Sequence, residues 1–181
     1  MTGGAVQIRP LFSAEQVNER IDALADEIRA DYGDGLPLCL AIAEGALRFT
    51  EELGNALAAR GARPAVQVIR ARRTEATELV SLQIEAPDLG GLAGRDVLVL
   101  DDIADEGRTL EAVLDLLEEA DCRSVKVAVL VSKLERRAAS LALDYVGFEV
   151  ASGWVVGFGM DLDGELRDLD EIGVVQGTET H

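Results

Sequence analysis

The chain has 181 residues, 48% of them apolar, enough for one domain with its own core. Its 17 basic residues face 34 acidic ones for a net charge of −17, a surface that repels nucleic-acid backbones. No apolar run approaches the roughly 20 residues of a membrane span, and Met1–Val6 lacks a leader pattern, so the reading is a soluble cytoplasmic protein without membrane or nucleic-acid partners.

In chain order, Gln7–Leu11 reads as a short strand or entry segment. Ser13-Ala14-Glu15-Gln16 is a capping-box pattern. Val17, Ile21, Leu24, Ala25 and Ile28 then recur at helical spacing as far as Asp31. Leu36–Ala43 is a continuous apolar run and predicts a buried strand, followed by a Glu44-Gly45-Ala46 turn and a helix through about Ala59. Ala65–Ala71 alternates as a strand, whereas Arg72–Val80 is polar, poorly patterned and reads as a mobile loop.

Asp96–Asp101, with Val97-Leu98-Val99-Leu100, is the clearest buried strand, and the helix after it carries Leu110, Val113, Leu114, Leu116 and Leu117. Ser124–Val131 is another buried strand. From Asp144 come short strands with Gly and aromatic residues, ending near Val175. Strands alternating with helices predict an α/β fold with a central, mainly parallel sheet flanked by helices. Ligands bind such sheets beyond the carboxyl ends of the strands, where the turns at Glu44, Asp101–Thr109 and Lys133 fall.

The only histidine is His181, which excludes a Ser-His-Asp triad, a His-based zinc site and an imidazole base. Acid–base work is left to carboxylates, tyrosine, or the two lysines, Lys126 and Lys133. Cys39 and Cys122 lack metal-ligand spacing and read as reduced thiols.

The chemistry concentrates in Val97-Leu98-Val99-Leu100-Asp101-Asp102-Ile103-Ala104-Asp105-Glu106-Gly107-Arg108-Thr109-Leu110. Backbone N–H groups at the helix start, with the Thr109 hydroxyl, form an anion site suited to a phosphate monoester. Gly107 lets the backbone come close to it. Adjacent Asp101 and Asp102 are costly neighbours unless they hold a cation or hydroxyl donors, and a ribose with bound Mg²⁺ supplies both. A bare Asp-Asp pair would read as a solvated helix-capping turn; the whole pattern in context favours the ligand.

This segment resembles the phosphoribosyl pyrophosphate signature of type I phosphoribosyltransferases: an apolar strand, two acidic residues, then a loop of the form Asp-Thr-Gly-x-Thr. Glu106 stands where most of that family has Thr. Lys133 at its strand end, Asp144–Val150, Trp154–Asp161 and Arg167-Asp168 look like the purine hood of hypoxanthine-guanine phosphoribosyltransferases. The resemblance covers roughly residues 8–176 and is strongest after residue 95. It implies the type I phosphoribosyltransferase fold as a single domain over 1–181, the hood formed by the N-terminal segment and about 144–176. Members are usually dimers or tetramers.

The activity so implied is purine salvage: hypoxanthine or guanine plus phosphoribosyl pyrophosphate gives IMP or GMP plus pyrophosphate, with Mg²⁺. Asp105 is then the general base near N7, and Asp101 and Asp102 hold the ribose hydroxyls and their Mg²⁺. Asp105, Glu106, Gly107, Arg108 and Thr109 form the phosphate turn, while Glu44, Gly45 and Arg167 meet the pyrophosphate. Lys133 donates to O6, Trp154 stacks on the purine, the Val155 backbone pairs with the base edge, and Asp161 is the second-metal carboxylate beside the purine. Two loops depart from the family. Ala43-Glu44-Gly45-Ala46 replaces a Leu-Lys-Gly-Gly-like turn that often contains a cis peptide, and no Ser-Tyr lid pair occurs around Arg72–Thr77. Other readings stay open: a different acceptor such as xanthine, a nucleotide-binding paralogue without turnover, or a nucleic-acid-binding regulator, which the net charge opposes.

Overall fold

The computed structural model describes residues 6–76, 79–85, 89–135 and 141–176, the side chains of 72–76, 79–83 and 89–90 excepted. The chain runs β1 (Ile8–Phe12), α1 (Ala14–Tyr32), β2 (Leu38–Ala43), α2 (Ala46–Ala59), β3 (Val66–Ala76) and β4 (Leu79–Glu85). It continues through β5 (Asp96–Ala104), α3 (Arg108–Glu118), β6 (Ser124–Lys133), β7 (Tyr145–Val150), β8 (Trp154–Val156) and β9 (Ile172–Val175). Six strands form one sheet in the order β4-β3-β2-β5-β6-β7, parallel except for the β3–β4 pair. A separate antiparallel sheet has the order β1-β9-β8.

Helix α1 begins at the expected capping box. The Ser13 hydroxyl accepts from the Gln16 N–H at 3.3 Å, and the Gln16 side chain accepts from the Ser13 N–H at 2.9 Å. Its buried stripe is Val17, Ile21, Leu24, Ala25 and Ile28. Strand β5 shows why the sheet needs helices on both faces. Leu98 and Leu100 pack with α1 and α2, while Val97 and Val99 pack with Leu110, Val113 and Leu117 of α3. Each such side chain, fully buried, contributes about 1.5–3 kcal/mol. Among the described residues no helix is long and apolar enough to cross a membrane.

Three expectations are corrected. Strand β3 continues to Ala76 and pairs with β4 from Arg70↔Glu85 to Ala76↔Leu79, so 72–76 and 79–80 are strand rather than loop. An antiparallel pair at the sheet edge tolerates polar residues on its open face, which is why the apolar signal fades there. The segment 72–77, expected as the lid and lacking the Ser-Tyr pair, has its side chains outside the described residues.

Strand β5 also does not stop at the carboxylates. Asp101 pairs with Val129 and Ala104 with Ser132, so both aspartates lie inside the ladder. Finally, the segment 144–176 expected to make one hood is divided: β7 joins the large sheet parallel to β6, with Val129 opposite Val146, while β8 and β9 lie in the small sheet.

Candidate active site

Strands β2, β5 and β6 are parallel, so their carboxyl ends deliver three turns to one edge of the sheet. From β5, Asp101 is only 8% exposed. The Asp102 N–H donates to Asp101 Oδ1 at 3.0 Å, and the Ile103 N–H donates to Asp102 Oδ1 at 2.9 Å. Burial, and then the neighbouring charge of Asp102, push the Asp101 carboxyl well above the ordinary carboxylate range. Burial raises Asp102 as well, with Asp101 hydrogen bonding, the Ile103 N–H and the Arg167 charge acting against it.

From β2, the Ala43–Glu44 peptide is cis and Glu44 is exposed. Gly45 packs so closely on β5 that a Cβ there would lie 2.0 Å from Asp102 Oδ2. Any larger residue at this position therefore forces the Asp102 carboxylate to shift.

Gly107, at φ 85°, is the N-cap of α3; no side chain caps the helix-start N–H groups, and Gly107, Arg108 and Thr109 line one cavity. The Glu106 carboxylate, which the sequence places close to a phosphate, pairs with Arg108 Nε at 3.0 Å. Thr109 lines the same cavity.

From the end of β6, Lys133 is 4% exposed, and its Nζ sits 2.9 Å from Asp105 Oδ2. Asp105 Oδ1 is buried with no hydrogen-bond partner among the described residues, a position that asks for a donor from a ligand. Facing these groups, Arg167 Nη2 lies 2.8 Å from Asp161 Oδ1, and Arg167 Nη1 donates to the Gly159 carbonyl at 2.7 Å. Trp154 Nε1 donates to the Asp161 carbonyl at 2.8 Å.

Two cavities result. The larger, about 470 Å³, gathers Gly45, Asp101, Asp102, Asp105, Glu106, Gly107, Arg108, Thr109 and Arg167, and of the expected sugar-phosphate residues only Glu44 is not in its wall. The smaller, about 190 Å³, gathers Lys133, Trp154, Val155 and Asp161 with Asp102 and Asp105. Ile103 and Met160 also line it and were not singled out from the sequence. Both lie inside segments that were, Ile103 in the acidic turn and Met160 in the Trp154–Asp161 run, but as apolar residues they read as core. Among the described residues no three carboxylate, thiol or imidazole side chains gather into a self-contained metal centre. Asp101, Asp102 and Asp161 share the larger cavity as an oxygen-only donor set, which suits a hard cation whose other oxygens come from a ligand or water.

Comparison with known proteins agrees with this geometry. The family model described as "Phosphoribosyl transferase domain" matches residues 11–163. A hypoxanthine-guanine phosphoribosyltransferase of Bacillus subtilis is 30% identical, the alignment covering 92% of each chain. One from Mycobacterium avium is 32% identical over 91% of this chain and 84% of its own. The crystal structure of a hypoxanthine-guanine phosphoribosyltransferase from Bacillus anthracis superposes with a TM-score of 0.82 at 27% identity, covering 94% of this chain and 99% of that one. Fold, acidic turn and relatives converge, and this chain is a member of the phosphoribosyltransferase enzyme family.

Proposed function

We propose that the chain transfers the 5-phosphoribosyl group of phosphoribosyl pyrophosphate to hypoxanthine or guanine, giving IMP or GMP and pyrophosphate. The observation that carries this reading is the Lys133–Asp105 pair at the junction of the two cavities, with one Asp105 oxygen unpartnered. A 6-oxopurine offers an acceptor at O6 and a proton at N7. Lys133 donates to the first, and Asp105 accepts the second as N9 bonds to C1 of the sugar and the C1–O bond to pyrophosphate breaks. Trp154 covers the purine face and the Val155 backbone meets its edge.

Asp101 and Asp102 take the ribose hydroxyls, and the turn from Asp105 to Thr109 takes the 5′-phosphate. Gly45 and Arg167, with the Glu44 backbone, take the pyrophosphate. Positive charge developing at the sugar ring is stabilised by the carboxylates beside it. The oxygen-only set of Asp101, Asp102 and Asp161, with Asp101 buried and short of counter-charge, fits Mg²⁺, which when bound supplies charge neutralisation for the leaving pyrophosphate. Cytoplasmic residence and a homodimeric or homotetrameric state belong to the same reading.

Glu44, exposed on the pyrophosphate turn, favours one other reading, a paralogue that binds nucleotide without turnover. A spectrophotometric assay with phosphoribosyl pyrophosphate, Mg²⁺ and, in turn, hypoxanthine, guanine, xanthine and adenine decides between them. The expected result is Mg²⁺-dependent turnover with a 6-oxopurine that falls about 10²–10⁴-fold in Asp105→Asn. Turnover with xanthine alone would replace the acceptor. Silence with every base, at low and high salt, would leave the binding paralogue.

A further inference from the structure

We infer that Arg48, which stands outside the substrate cavity, is a positioning residue that holds the segment bearing Asp161 and Arg167 against the pyrophosphate turn. Arg48 lies in the first turn of α2, three residues after Gly45. Its Nη1 donates to the Leu169 carbonyl at 2.9 Å, its Nη2 pairs with the Asp170 carboxylate at 2.5 Å, and its guanidinium carbon lies 4.4 Å from the centre of the Phe158 ring.

Those three contacts close the neck of one loop. The Phe158 N–H donates to the Leu169 carbonyl at 2.8 Å, and the Gly159 N–H donates to the Arg167 carbonyl at 3.0 Å. Arg167 returns a hydrogen bond to the Gly159 carbonyl at 2.7 Å. The neck also presses on the turn below it, since a Cβ on Gly159 would lie 2.5 Å from the Gly45 carbonyl oxygen and 3.7 Å from Arg48 Cβ. One guanidinium thus ties both limbs of the Asp161–Arg167 loop to the helix that begins at the pyrophosphate turn.

The contacts are unequal. The Asp170 side chain is 75% exposed, so solvent screens that ion pair and it contributes little. Phe158 is 2% exposed, and the ring contact and carbonyl bond lie where a planar, multi-donor group is required. Arg48 does not line the larger cavity, so its effect on substrate runs through the loop. This inference rests on the proposed reaction for what the loop does, but not for whether Arg48 holds it.

The test uses Trp154, the sole tryptophan, whose Nε1 donates to the Asp161 carbonyl on the same loop. In Arg48→Met the KM for phosphoribosyl pyrophosphate should rise about tenfold to a hundredfold, with the KM for the purine little changed. Acrylamide quenching of Trp154 should increase, Arg48→Lys should fall between, and Asp170→Ala should stay near wild type. Unchanged quenching and KM in a folded Arg48→Met, or equal rises in both KM values without a quenching change, would overturn the inference. If Arg48→Met does not fold, Arg48→Lys decides by the same readouts. If the wild-type protein turns nothing over, the reaction fails, and Trp154 quenching with pyrophosphate titration still decides the role of Arg48.

Discussion

Strands β5 and β6 carry charged side chains at both ends, and the two ends treat them in opposite ways. At the amino end, Asp96 accepts from Arg123 Nε at 2.8 Å and from the Ser124 hydroxyl at 2.7 Å. Asp31 meets Lys126 at 2.7 Å and the Tyr145 hydroxyl at 2.6 Å. These donors hold Asp96 down to about 2, the Arg123 hydrogen bond contributing most, and keep Asp31 below the ordinary range through Lys126 first. At the carboxyl end of the same strand, Asp101 and Asp102 are adjacent, desolvated and raised. The Asp105 carboxylate there has one oxygen on Lys133 and the other without a partner among the described residues. The lesson is a contrast along a single strand: the carboxylate at one end is held down by paired donors, and the two adjacent carboxylates at the other are raised by burial.

That contrast breaks most readily at Gly45. A methyl group there collides with the Asp102 carboxylate, and Gly45→Ala should weaken phosphoribosyl pyrophosphate binding about tenfold to a hundredfold. Isothermal titration would measure it, and unchanged affinity would mean that the two turns are not a single binding unit.

Asp101→Asn tests whether the carboxyl end is costly to the fold. The folded-state pKa of Asp101 is raised, so its charged form opposes folding above that pKa, and the cost vanishes as pH falls to the ordinary carboxylate value. The ligand-free variant should therefore melt higher at pH 7, by roughly 2–4 °C per kcal/mol relieved, with the gain shrinking as pH drops. A lower Tm at pH 7 would count against the contrast.

Asp96→Asn should do the reverse and less of it. Arg123 is 67% exposed, so the pair contributes no more than about 1 kcal/mol. Because the Asp96 pKa is lowered to about 2, that stability is present above the ordinary carboxylate pKa. It is lost as pH falls toward 2. Thermal melts should show a small deficit at pH 7 that closes as pH falls through about 2.

Much of this was readable in the sequence where pattern and chemistry coincide. The capping box at Ser13 and the stripe from Val17 to Ile28 each use a local rule that no distant contact overrides. What escaped depends on partners far along the chain. Strand β7 is short and mixed, half-buried along its middle, and its place beside β6 is a long-range pairing that periodicity does not encode. The run through Asp101 and Asp102 into Ala104 needed the ladder to β6, since two carboxylates read locally as a strand end. The Lys133–Asp105 pair joins residues 28 apart, and Arg48 meets Leu169 from 121 residues away. Neither spacing carries a sequence signal.

The sequence has two lysines, and they occupy opposite ends of β6, with side-chain exposures of 33% at Lys126 and 5% at Lys133. Amine-acylating reagents therefore have two ε-amino targets on this protein, one at the surface and one sealed against Asp105. The ratio of label at the two positions becomes an internal gauge: Lys126 calibrates the reagent, and Lys133 records how accessible the smaller cavity is.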